Sequence, residues 1–148
     1  MQVEGLLQYT NWHDDQRYWR IEHPAGRACD FAGRYESDLD LVKAMGLNSF
    51  RCSLEWGRIE PEPGQFDEAA IAHFQRVVAA CRARGLEPVL TLWHFAYPRW
   101  IERDLPGGWA NPDIIHVFRR YARKMSAALP DVKWWITKNE PNAFAINT

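Results

Sequence analysis

Three short runs rich in β-branched and aromatic residues alternate with helical patterns, and this alternation narrows the folds open to the chain more than any other feature. The runs are NSFRCSLEW at 48–56, EPVLTLWHF at 87–95 and KWWITKNE at 133–140. Between the first two, the stretch 67–84 carries Ile71, Phe74, Val77, Val78 and Cys81 on one helical face, with Gly85 just past its end. A second helix is predicted to open with Asn111 as N-cap and Pro112 at its first position. Ile114, Phe118, Tyr121 and Met125 then recur at intervals of four, three and four, as a buried stripe would. A shorter helix over 35–45 stops at Gly46.

Strands separated by helices pair in parallel through right-handed crossovers. Two architectures use that unit, the open doubly wound sheet and the closed (β/α)8 TIM barrel. The first announces itself with a glycine-rich phosphate turn, and neither GxGxxG nor GxxxxGK[ST] occurs here. The sequence therefore predicts an α/β fold, with the (β/α)8 barrel the better fit of the two. The long segments 5–30, 57–67 and 96–112 fall where strands end and helices begin, the face on which such barrels carry their sites.

The totals bound the partners. With 148 residues the chain can bury roughly two-thirds of its unfolded surface, enough for one core. A formal charge of −1 suggests neither a nucleic-acid nor an acidic-surface partner, and no apolar run reaches membrane-span length. Cys29, Cys52 and Cys81 are odd in number and lack CxxC spacing, which predicts reduced thiols and a cytoplasmic location.

A few polar residues stand out at the strands. Alternation in SFRCSL puts Ser49, Arg51 and Ser53 on one face and Phe50, Cys52 and Leu54 on the other. An arginine within a buried strand needs acceptors. Arg51 reads equally as half of a structural ion pair, with Glu36 or Glu55, or as a guanidinium that keeps a catalytic carboxylate ionised. His94 ends the second run; a lone histidine there is more often structural than a ligand, and it lacks metal spacing to His13, His23, His73 or His116. Facing a pocket, its imidazole would serve a hydroxyl-rich substrate. Asn139 and Glu140 are adjacent, so a regular strand would send them to opposite faces. If both face a pocket the strand must bulge or stop, and Pro141 suits such a break. A carboxyl at the mouth of an apolar, Trp-rich strand is expected to ionise reluctantly, because its charged form is poorly hydrated there, which suits a general acid. The plainer reading of Glu140 is a capping or salt-bridged residue at an ordinary strand end.

Taken together, QVEG (2–5), the long stretch 30–67, EPVLTLWHFAYPRW (87–100), GGWANP (107–112) and WWITKNEPN (134–142) resemble family 1 glycoside hydrolases, the β-glucosidase family, in order and spacing. The resemblance implies an α/β fold in which residues 1–148 are a single partial domain, an incomplete (β/α)8 TIM barrel covering about the first four β/α units. It also implies an enzyme that hydrolyses β-linked glycosides or oligosaccharides with retention, without cofactor or metal. It implies Glu140 as general acid/base, Asn139 on the sugar 2-hydroxyl, Gln2 and His94 on other hydroxyls of the same sugar, and Arg51 steadying the nucleophile. Trp93 and Trp109 are weaker candidates for pocket walls. Cys52 replaces the phenylalanine usual in its strand, and Phe95 stands where many members have tryptophan. The family's nucleophile belongs to a later strand, so the chain reads as the N-terminal half of an enzyme, expected to be inactive alone and poorly soluble, partly molten or paired with another copy. Alternatives are another retaining barrel glycosidase with the same Asn-Glu pair, or a non-catalytic carbohydrate-binding or interaction module.

Overall fold

A computed structural model describes residues 29–147, in which β1 (Ser49–Ser53), β2 (Glu87–Trp93) and β3 (Trp134–Lys138) form a parallel sheet in the order β1-β2-β3. Ser49 pairs with Glu87 and Ser53 with Thr91 across the first ladder; Val89 pairs with Trp134 and Trp93 with Lys138 across the second. All three runs predicted as strands are strands. β1 is shorter than its run because Leu54 makes one further ladder bond, to the carbonyl of Thr91 at 2.9 Å, and the chain then coils into the four-residue helix α2 (Trp56–Ile59).

The helices follow from local chemistry. Before β1 lies α1 (Phe31–Ala44), which begins four residues ahead of the predicted 35–45. In α3 (Glu68–Ala83) the Asp67 carboxylate accepts from the backbone amides of Ala69 at 2.8 Å and Ala70 at 3.1 Å, satisfying two of the amides a helix start leaves open. The same helix closes at Gly85, φ +68°, whose amide bonds the Arg82 carbonyl while Leu86 bonds Cys81, a cap that needs the left-handed backbone glycine adopts freely. Its predicted face, Ile71, Phe74, Val77, Val78 and Cys81, is buried.

After β2 come α4 (Arg99–Asp104), a turn of 3-10 helix at Gly108–Ala110 and α5 (Ile114–Ala128); α6 (Pro141–Asn147) follows β3. Here one expectation is corrected. Asn111 does not cap α5; its side chain accepts from the amide of Asp113, two residues on, at 3.0 Å, closing a tight turn that ends before the helix does begin. Asp113 is the N-cap. Ile114, Tyr121 and Met125 are buried as the stripe predicts, with Phe118 half-buried against the same core.

The helix-facing residues of the sheet, Cys52, Leu54, Leu90 and Leu92, join Phe74, Val77, Trp56, Tyr121 and Met125 in one cluster. Cys29, Cys52 and Cys81 are all thiols, and burial pushes the Cys81 thiol up to about 11. Among the described residues no helix is long and apolar enough to cross a membrane, and no group of three or more His, Cys, Asp or Glu is placed to hold a metal.

Candidate functional site

The polar residues predicted to matter gather where the strands end. Arg51 and Ser53 lie on the face of β1 opposite Cys52. From there the Arg51 guanidinium donates through Nε to Thr91 Oγ1 at 3.0 Å and through Nη2 to Asn139 Oδ1 at 2.6 Å, spanning all three strands. Thr91 is fully buried and Asn139 is 7% exposed, so both acceptors are fixed by packing before the arginine reaches them. A bond from a guanidinium is among the stronger neutral-acceptor bonds, and it settles which way the Asn139 amide points: its oxygen is engaged, leaving Nδ2 as a donor.

His94 follows Trp93, the last residue of β2, and its Nδ1 stands 2.8 Å from Ser53 Oγ. Burial lowers its pKa, and the nearby Arg51 charge acts in the same direction while the Glu140 carboxylate opposes both. His94, Arg51 and Glu140 thus share one electrostatic environment.

β3 stops at Lys138 and does not bulge. The Asn139 amide makes one more ladder bond, to the Trp93 carbonyl at 2.9 Å, and Glu140 then adopts φ +43° before Pro141 opens α6 at its first helical position. This break is how two neighbouring residues escape strict alternation. Phe95, at φ +72°, makes the same left-handed step one residue after His94. Such backbone costs an L-residue about 1–2 kcal/mol and persists only where packing over-determines it. Glu140 is exposed and Asn139 buried.

Trp93 is fully buried and packs at 4.6 Å on Trp109, which also meets Phe118 at 5.3 Å. These indoles support the strand ends from behind. Trp109 is delivered by a turn in which Gly108 takes φ +52°, a backbone that other residues adopt only with strain, and a Cβ there would have to displace Glu102 Oε1 at 2.9 Å and the Tyr97 hydroxyl at 3.0 Å.

Four participants escape sequence reasoning. Ser53 and Thr91 orient His94 and Arg51, and only the alternation of β1 hints at the first. Lys138 lies over the Trp93 and Trp109 rings. Glu60 is fully buried in the loop after β1, accepting from Trp56 Nε1 at 2.9 Å, the Gly64 amide at 2.8 Å and the Arg120 guanidinium, while its carbonyl accepts from Trp100 Nε1 at 2.9 Å. Gln2 lies outside the described residues.

Comparison with known proteins adds to this geometry. The model for Glycosyl hydrolase family 1 matches residues 8–148, which leaves out Gln2. Beta-glucosidase 40 of Arabidopsis thaliana is 40% identical over 137 residues, 85% of this chain and 27% of that protein. The apo structure of β-glucosidase 1317 superposes with a TM-score of 0.87 at 39% identity, over 95% of this chain and 35% of that one. A rice β-glucosidase mutant in covalent complex with glucose gives a TM-score of 0.77 at 36% identity, over 80% of this chain and 25% of that one. The chain thus spans about a quarter to a third of the length of these relatives.

Proposed function

Since this chain belongs to glycosyl hydrolase family 1, we propose that it forms the acid/base side of a retaining β-glycosidase and that its three-stranded sheet is one arc of a (β/α)8 barrel. One observation carries the reading: Arg51 bonds Asn139, the residue next to Glu140, while His94, bonded to Ser53, feels the charges of both Arg51 and Glu140. The substrate is a β-glucoside or a related β-linked sugar.

Retaining hydrolysis uses two carboxyl groups roughly 5–5.5 Å apart, one donating a proton to the leaving oxygen and the other attacking the anomeric carbon. Glu140 is the donor. Its exposed position at the strand end lets it reach the glycosidic oxygen and then take a proton from the incoming water. Asn139 Nδ2, freed by the Arg51 bond, donates to the sugar 2-hydroxyl, where contacts strengthen as the oxocarbenium-like state develops. When Ser53 donates to His94 Nδ1, the neutral ring keeps its Nε2 proton for another hydroxyl, and the lowered pKa favours that neutral form. Arg51, beneath Asn139, holds the nucleophilic carboxylate ionised. That carboxylate comes from a segment beyond the positions this chain matches, so the 148 residues alone are inactive. The covalent glucose complex of the rice relative supports a retaining course.

The test is hydrolysis of an aryl β-glucoside by a complete polypeptide carrying this chain. Glu140→Gln should lower kcat by about 10²–10⁴-fold, the usual contribution of a positioned proton donor. Equal turnover by the variant, or Glu140-dependent turnover by residues 1–148 alone, overturns the reading.

A further inference from the structure

We propose that Lys138 is a positioning residue for Glu140, its ammonium locking the last rung of β3 onto the loop that carries Trp109. The inference rests on the acid/base reading of Glu140 and deepens it.

Lys138 Nζ lies 4.0 Å from the centroid of the Trp109 ring and 4.9 Å from that of Trp93. A cation so close to two indole faces is held by their quadrupoles, and the attraction grows as water is excluded. Burial lowers the Lys138 pKa, consistent with rings standing in place of solvent. Each ring is itself fixed. Trp93 is fully buried and pairs with Lys138 across the ladder, while Trp109 packs on Trp56, Trp93 and Phe118 and follows Gly108, whose positive φ shapes the turn.

The consequence falls on the next two residues. The Asn139 amide bonds the Trp93 carbonyl at 2.9 Å, so it stands on the same rung, and Glu140 then takes the left-handed step. That step is unfavourable for an L-residue and relaxes unless both its sides are held. Pro141 and α6 restrain one side; the Lys138 anchor restrains the other. Without the anchor the Glu140 backbone returns toward ordinary φ and the carboxyl leaves the leaving-group oxygen.

A misplaced proton donor has a distinctive kinetic signature, because an alkyl glucoside needs protonation of its leaving oxygen and a dinitrophenyl glucoside does not. In a complete polypeptide carrying this chain, Lys138→Met should lower kcat on an alkyl β-glucoside by about tenfold, with KM little changed, the loss matching a partly desolvated cation–ring contact. On the dinitrophenyl glucoside kcat/KM, which reports the step that needs no proton donor, should stay within about twofold, while kcat falls with the base-assisted attack of water on the glycosyl-enzyme. Lys138→Arg, whose planar cation also stacks on indoles, should restore the alkyl rate. Lys138→Gln makes the same measurement with a polar side chain should the methionine variant not fold. Equal losses of kcat/KM on both substrates, or none on either, overturn the proposal while the wild type remains active and Glu140→Gln remains leaving-group selective in kcat/KM. If Glu140→Gln itself shows no such selectivity, the acid/base reading falls, and this inference with it.

Discussion

At the scale of single residues, His94 links stability to pH. Its folded-state pKa lies below the ordinary 6.5, with burial the largest cause. Above about 6.5 both folded and unfolded chains carry the neutral ring, and its contribution is fully present. As pH falls below 6.5 the unfolded chain takes up a proton that the folded chain refuses, and stability drops until pH passes the folded value. We therefore expect urea midpoints of the wild type to decline between about pH 7 and 5 more steeply than those of His94→Gln, which has no proton to take up. Parallel declines would show that the imidazole titrates freely. In the proposed reading the same neutral ring is the form that would serve a sugar hydroxyl, so one displacement of proton affinity would act on both stability and binding.

At the scale of elements, Glu60 ties three of them together. Its carboxylate joins the loop after β1 to α5 through Arg120, and its carbonyl joins the same loop to α4 through Trp100. Glu60→Ala orphans the fully buried indole of Trp56, while the amide of Gly64, an exposed residue, turns to water. Arg120, 40% exposed at its side chain, turns to water instead, which discounts the electrostatic loss. We expect a cost of about 2–3 kcal/mol in denaturant unfolding, less than a fully buried pair would give, with Glu60→Gln intermediate; a cost below about 0.5 kcal/mol, the level of an ordinary surface change, would mean that the loop is held by other contacts. The strands were legible in sequence because each is a short apolar run flanked by turn chemistry, and the stripe of α3 because its cap and glycine lie within the same stretch. Glu60 was not, since its partner Arg120 is 60 residues away and only folding brings them together. The misplaced start of α5 has the opposite cause: Asn111 and Pro112 satisfy every local rule for a helix N-terminus, and the asparagine side chain chose a nearer amide. Arg51 and Asn139 were visible as residues, but their mutual bond was not, because the register between β1 and β3 passes through β2.

At the scale of the whole molecule, the described sheet has β1 and β3 as its edges, and parallel sheets ordinarily have both faces covered and no apolar edge left open. On the β3 edge Trp134 is 61% exposed, and α1 presents Leu41 at 64% and Met45 at 74%. In relatives three to four times longer, more chain is available to cover such surfaces. A polypeptide of residues 1–148 in isolation is expected to self-associate, because contacts between copies would bury the indole and close the edge that the described residues leave open. Sedimentation should show mass rising with concentration, and Trp134→Lys should shift the distribution toward the monomer by placing a charge on the edge strand. Joining the chain to the rest of a family 1 barrel should abolish both effects at once, since Trp134 would then be covered within one molecule. A monodisperse monomer of residues 1–148 that melts cooperatively would mean instead that the sheet stabilises itself, and that the proposed acid/base residues are positioned without the rest of a longer chain.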